Sequence, residues 1–280
     1  MSNSKLNQDN KEVTLENWLG DYQLGKDIWS NKYRFNGESF SEFLDRVSNG
    51  DEEVKDLILN KMFIFGGRVL ANYNTNYDKA SISNCYSSGY VEDSLEGWMD
   101  MAKNLALTYK SQGGQGVSLT KIRPKGSPIG DGRYVTDGIV PLMEILNSVT
   151  QGVSQGASRK GALMMSLSGW HKEIETFIRI KSEEGKIEGA NLPVEVDNTF
   201  MNIVKKDLKN GTKTTVQVKS KYGDKIIEYP ITPIEVFRLI AETGWNWGEP
   251  GIIYEDEFRN HNIMQYRDDY QIVTGNPCGK

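Results

Sequence analysis

The sequence predicts an α/β fold, and three observations carry the prediction. From about residue 80 onward, short apolar runs that read as strands alternate with amphipathic helical segments, the pattern of parallel strands joined by helical crossovers. Clusters of Gly, Pro, Ser and Asn punctuate the runs. Before residue 80 the apolar spacing is mostly helical. The expected organisation is a polar, disordered tail over 1–14, a helical region over 15–80 and an α/β domain over 81–280.

Each element has a local reason. In "SFSEFLDRVS", Phe40, Phe43, Leu44 and Val47 share a helical face, and Ser39 with Glu42 forms a capping box. "EEVKDLILNKMFIF" repeats the helical pattern and then runs apolar. A strand is expected around Cys85 in "SISNCYSSGY". The clearest helix is "VEDSLEGWMDMAKNLALTYKSQGG", where Leu95, Trp98, Ala102, Leu105 and Tyr109 form a seam suited to packing on another helix. Asp93 stands at its N-cap position with Glu96 completing a box, and Gly113 and Gly114 end it.

"GVSLTKIRPKGSPIG" reads as a short strand and a Pro/Gly loop. "IVPLMEILNSVTQGV" reads as a helix with Leu142, Ile145, Leu146 and Val149 on one face. A Gly/Ser/Gln loop carrying Arg159 and Lys160 then leads into a buried strand, "ALMMSL". "HKEIETFIRIKS" is amphipathic and helical, and "KTTVQVKSKYGDKIIEYP" is a hairpin. In "TPIEVFRLIAETG", Thr232 caps, Pro233 takes the first turn, Glu235 closes the box and Gly244 ends the helix. "GEPGIIYEDEF" is loop and strand, and "YQIVTGNPCGK" is a strand running into a tight loop.

Composition narrows the function classes. A net charge of −5 argues against a general nucleic-acid binder or membrane-surface protein. The two cysteines, Cys85 and Cys278, have no zinc spacing. His171 and His261 stand alone and read as structural. P-loop, nucleophile-elbow and H-E-x-x-H motifs are absent. With no apolar h-region and no membrane-length apolar run, a cytoplasmic protein with reduced thiols is expected.

The ordered set "FGGRVLAN", "SNCY", "EDSLEGW", "GGQG", "KIRPKGSPIG", "DGIVPLMEILN", "SQGASRKGALM", "WHKEIETFIRIK" and "GNPCG" resembles the large, catalytic subunit of ribonucleotide reductase. The likeness covers roughly residues 30–280 and is nearest in flavour to the adenosylcobalamin-dependent bacterial enzymes. It implies the first part of a ten-stranded α/β barrel, truncated at a central finger loop whose cysteine becomes a thiyl radical. That radical removes the 3′-hydrogen of a ribonucleotide, the 2′-hydroxyl leaves as water, and a cysteine pair supplies the electrons. A thiol suits both tasks, because sulfur carries a radical and its thiolate exchanges disulfides.

Residue by residue, the resemblance implies that Cys278 is the thiyl cysteine, Asn276 a ribose ligand and Cys85 the first reducing cysteine. Asn84, Gly113 and Gly114, with Gly116, fall at substrate-contact positions, although Asn84 stands where Ser is common. Asp93, Arg123 and Ile129 fall in a site for an allosteric deoxynucleoside triphosphate or ATP, and Arg159 and Lys160 in the loop that relays effector identity. Helix 94–110 would be the homodimer helix, and thioredoxin or glutaredoxin would recharge the cysteines.

The pattern departs from the family at Lys280, where a glutamate general base is expected. An ammonium has no acceptor, and losing a general base costs about 10²–10⁴-fold. The expectation is a chain that needs a C-terminal complement bearing the second reducing cysteine, as from an intron, a split gene or a truncated reading frame. The alternatives are an inactive nucleotide-binding, dimerising fragment, or a subunit served by a small metal-radical partner.

Overall fold

The computed structural model describes residues 13–77, 81–155, 159–182, 186–222, 225–264, 266–267, 270 and 272–278. The chain forms two compact units, Met1–Asn84 and Cys85–Lys280.

The first unit is helical: α1 (Leu15–Leu19), α2 (Gln23–Ile28) running into a π-helical turn (Trp29–Tyr33), α3 (Phe40–Ser48), α4 (Glu52–Leu59) and α5 (Gly67–Asn72). The expected tail lies outside the described residues except for Val13 and Thr14, and Thr14 caps α1 by accepting from the Asn17 N–H. The Ser39–Glu42 capping box forms as predicted. Phe40, Phe43, Leu44 and Val47 are buried, with Trp29 edge-on to both phenylalanines. The Arg46 guanidinium ties the unit together, donating to Glu38 and to the carbonyls of Tyr33, Leu70 and Tyr73.

The second unit is α/β. It opens with β1 (Cys85–Tyr90), α6 (Leu95–Lys110) and β2 (Gly114–Ser118). The small ladder β3 (Pro128–Ile129) with β4 (Tyr134–Val135) precedes α7 (Ile139–Gly152). A second small ladder, β5 (Ser154–Gln155) with β6 (Arg159–Lys160), leads to β7 (Leu163–Ser168) and α8 (Ile174–Arg179). There follow β8 (Ala190–Asn191), β9 (Val194–Val196), α9 (Asn198–Asn210), the hairpin β10 (Val216–Tyr222) and β11 (Lys225–Ile231), α10 (Pro233–Trp247), β12 (Ile252–Tyr254) and α11 (Glu255–Asn260).

The main sheet runs β1-β2-β7-β9-β12, with β8 also on β7, and every pairing is parallel. Spatial order follows chain order, as expected when each parallel step is made by a helical crossover. Side chains alternate across a strand, and the register sorts them into two unlike faces. Val117, Leu163, Met165, Leu167, Val194 and Val196 join the apolar core with the helices. The other face carries Cys85, Ser87, Gly114, Gly116, Ser118, Ser166, Ser168 and Glu195, aligned by the pairs Cys85↔Gly114, Ser118↔Ser166 and Ser168↔Glu195.

Several local expectations are overruled by longer-range contacts. The cap of α6 is Ser94, whose Oγ accepts from the Gly97 N–H at 3.0 Å, because Asp93 is engaged by Arg123. The α6 seam divides: Leu105 and Tyr109 are fully buried in the unit's own core, Trp98 and Ala102 pack partly against it, and Leu95 is exposed. Most of the seam is therefore internal packing against α7, where Tyr109 and Thr150 share a hydrogen bond. Helix α10 runs past Gly244 to Trp247 and ends at left-handed Gly248. Its Thr232 hydroxyl pairs with Thr215 instead of capping, and Glu235 pairs with Lys213. The described part of 270–278 forms no strand.

Candidate functional site

The face of small and polar residues is where the loop after α11 lies. Thr274 is placed by two hydroxyl contacts: Ser87 Oγ donates to its carbonyl at 2.9 Å, and its own hydroxyl sits 2.7 Å from Ser166 Oγ. At Gly116 an added Cβ would stand 2.0 Å from the Gly275 carbonyl oxygen. At Gly114 it would stand 3.0 Å from Pro277 Cγ and 3.0 Å from the Ala162 methyl. No side chain fits at either glycine, so both positions let the loop backbone lie against β2. The Asn191 amide then donates to the Pro277 carbonyl at 3.0 Å. The loop thus runs antiparallel to the strands, and its tip comes to the N-terminal ends of β1 and β2.

At that tip the two cysteines meet. Cys85 Sγ and Cys278 Sγ are 3.6 Å apart, as two thiols and not a disulfide. Cys85 is half-buried and Cys278 exposed. The Asn276 side-chain oxygen accepts from the Cys278 N–H at 3.0 Å, an Asx turn that sets the orientation of the tip. Two sulfurs at this distance can exchange hydrogen or, with modest movement, bond to one another. Gly113, at the mouth of β2, lies so near the Tyr86 ring that a Cβ would come within 2.6 Å of it. Asn84 is the last residue of the first unit, one peptide bond before Cys85.

Asp93, Arg123 and Ile129 come together elsewhere on this unit, around an open cavity of about 390 Å³ that Ser94, Leu95 and Trp98 also line. That volume lies within the range of small-ligand sites. Arg123 Nε donates to Asp93 at 2.6 Å, its backbone N–H donates to the same carboxylate, and Nη1 donates to the Pro128 carbonyl. Trp98 Nε1 is buried and, among the described residues, has no hydrogen-bond partner. Arg159 and Lys160 are placed by backbone only, on β6, and their side chains lie outside the described residues, as does Lys280.

Three further residues were not singled out from the sequence. Glu173 is buried, and one carboxylate oxygen accepts from the N–H groups of Lys125 and Ile139 at 3.0 and 3.2 Å, fastening both ends of the loop that borders the cavity. Burial raises its pKa. Its side chain meets the N-terminus of α7 from far along the chain, a favourable place for a carboxylate that no local sequence pattern marks. Glu195 is buried beneath the loop, and burial pushes its carboxyl up to about 7 against the opposing effect of hydroxyl hydrogen bonds. Thr274 gave no signal at all. His171 is structural, as expected: Nδ1 accepts from the Glu173 N–H, so Nε2 carries the proton given to the Ile122 carbonyl, and burial lowers its pKa to about 4. His261 is exposed beside Glu257. It lines a larger cavity of about 650 Å³ that contains neither cysteine.

A parallel α/β sheet carrying a thiol-tipped loop on its polar face defines a redox-capable site on an α/β scaffold. A match to the ribonucleotide reductase barrel domain covers residues 83–280, and the chain belongs to that family. It is 29% identical over 86% of its length to a vitamin B12-dependent ribonucleoside-diphosphate reductase of Thermoplasma acidophilum, of which that alignment spans 31%. It is 34% identical over 49% of its length to a ribonucleoside-diphosphate reductase large subunit of Danio rerio, spanning 17% of that protein. A Vaccinia virus large subunit is 29% identical over 55% of the chain and is spanned for 20%. The chain therefore covers less than a third of the length of these curated relatives. Among the described residues, no helix is long and apolar enough to cross a membrane, and no cluster of His, Cys, Asp and Glu could hold a metal ion.

Proposed function

We propose that the chain is the N-terminal part of a ribonucleoside-diphosphate reductase catalytic subunit, and that it acts with a C-terminal complement. The observation that carries this reading is the approach of Cys278 to Cys85 at 3.6 Å on a loop seated over glycines. In this reading Cys278, as a thiyl radical, takes the 3′-hydrogen of the ribose. Asn276 holds the ribose, Cys85 gives one of the two reducing thiols, and Asn84, Gly113 and Gly114 border the substrate. The second thiol comes from the complement, and thioredoxin or glutaredoxin restores the pair.

The exposure of Cys278 leaves its sulfur open to a radical source. The similarity to the vitamin B12-dependent enzyme of Thermoplasma favours cobalamin. When bound, adenosylcobalamin would supply the oxidising equivalent that removes the thiol hydrogen. A deoxynucleoside triphosphate or ATP would occupy the Asp93–Arg123–Ile129 cavity, with Arg159 and Lys160 relaying its identity. Arg123 can turn its Nη groups to phosphate because they are held by backbone carbonyls and not by the carboxylate oxygens.

The test is reconstitution. The chain plus its complement is assayed for deoxyribonucleoside diphosphate with adenosylcobalamin, or with a small metal-radical subunit in its place. Product that needs cobalamin and disappears in Cys278→Ser supports the reading, and product that needs the metal subunit moves the radical source there. A second reading, an inactive nucleotide-binding and dimerising chain, draws on Lys280 in the general-base position. It would be supported by tight effector binding with no turnover under either condition.

A further inference from the structure

We propose that Glu195 is a positioning residue that sets the loop bearing Cys278 through the hydroxyls of Ser166 and Thr274. A carboxylate in the middle of a buried parallel strand is unusual, since such strands are ordinarily apolar on both faces. Among the described residues Glu195 meets hydroxyls and no cation: Ser166 at 2.5 Å on one oxygen, Thr120 at 3.0 Å and Ser118 at 3.4 Å on the other. Burying a charge so is costly unless its hydrogen bonds are all made, and a nearby Glu255 adds to the cost.

The arrangement has a consequence for the loop. A serine hydroxyl has one proton and two acceptor sites. At 2.5 Å from Glu195, the proton of Ser166 lies toward the carboxylate. The Thr274 hydroxyl, 2.7 Å from Ser166 Oγ, then donates to it. On its other side the Thr274 carbonyl accepts from Ser87. The residue that begins the run to Gly275, Asn276 and Cys278 is therefore held from β1 and, through β7, from β9. Glu195 orients the Ser166 hydroxyl, Ser166 holds Thr274, and Thr274 sets where the tip delivers its sulfur.

The approach of Cys278 to Cys85 reports the loop's position without any nucleotide. Diamide oxidises the two thiols to a disulfide and is itself reduced to the hydrazine. The rate, followed by intact mass after alkylation, measures how often the sulfurs meet. In the intact chain, Thr274→Val and Glu195→Leu are each expected to slow the reaction about tenfold, the worth of one buried hydrogen bond. Thr274→Ser keeps the wild-type rate. Glu195→Gln stays within about threefold, because its amide oxygen still accepts from Ser166. The Glu195→Leu/Thr274→Val double variant is no slower than either single variant.

A wild-type rate in Thr274→Val, or slowing that multiplies in the double variant, overturns the proposal. If Glu195→Leu fails to fold by circular dichroism, Ser166→Ala with Thr274→Val decides by the same comparison. A contribution of Glu195 to turnover rests on the reductase reading, but the loop geometry does not. Failure of the cross-linking test leaves that reading standing, and failure of reconstitution leaves this one.

Discussion

The loop site and the Asp93–Arg123 cavity, both on the α/β unit, are held by opposite means. Under the loop, a buried carboxylate is satisfied, among the described residues, by hydroxyls alone, and the backbone of one segment lies on glycines of another. At the cavity, a partly exposed carboxylate meets a guanidinium across an open mouth. The first arrangement fixes atoms in place and tolerates no added volume. The second leaves a charge pair in partial contact with water, where its strength is modest and its partners can be exchanged. The proposed function asks for both kinds: a fixed seat for the sulfur of Cys278 and an exchangeable one for a ligand at Arg123.

The sharpest way to break the contrast is Gly116→Ala. Its Cβ would lie 2.0 Å from a backbone oxygen that cannot swing aside. The expected result is a stability loss of about 3 kcal/mol in urea unfolding and loss of the diamide-driven Cys85–Cys278 disulfide. Unchanged cross-linking would mean the loop does not lie on β2.

Acid–base behaviour separates the two carboxylates next. Glu195 titrates near 7 in the folded chain, against about 4.3 when unfolded. Between these values the folded form keeps a proton that the unfolded form has released. Stability from this group is therefore fully present below about pH 4.3 and is lost as pH rises through 7, by about 4 kcal/mol. The difference between wild type and Glu195→Gln across that window, from unfolding at several pH values, isolates the group. A difference that stays constant with pH would show that Glu195 does not hold the proton.

Removing the cavity's charge pair should do less to the fold. Arg123→Met is expected to cost about 1 kcal/mol of stability, since both side chains are partly exposed. It should also weaken binding of a deoxynucleoside triphosphate about tenfold or more by calorimetry, through loss of charge-assisted hydrogen bonds. Equal affinity in the variant would mean that Arg123 takes no part in holding a nucleotide. The smallest effect is expected at Gly152, which closes α7 with nothing within 4 Å of an added Cβ. Gly152→Ala should stabilise by about 0.5 kcal/mol in thermal unfolding, a control showing that the damage at Gly116 comes from contact and not from losing glycine.

Local rules served well where nothing distant competed. The Ser39–Glu42 box, the strand at Cys85 and the strand "ALMMSL" are all present. They failed where a partner far along the chain made a stronger offer. Asp93 looked like a helix cap, but the guanidinium of Arg123 forms a charged pair with it, and Ser94 took the cap. Gly244 looked like a helix end, yet α10 continues to Gly248, where the left-handed turn occurs. The α6 seam was a correct apolar stripe, but spacing alone does not say whether a stripe meets its own chain or another. Most of it meets its own core.

By itself the sequence determined the α/β class, the order of the elements and, through its motifs, which cysteines to watch. These follow from periodicity, capping and residue identity, all local properties of the chain. Only the tertiary structure decided that Glu195, Ser166, Ser87 and Thr274 act on one another, because they come from separate strands and a loop and are aligned by sheet register. It also decided that Gly116 is indispensable, because the carbonyl it must clear belongs to Gly275. Contacts between distant segments depend on register and packing, and neither is written in any short stretch of sequence.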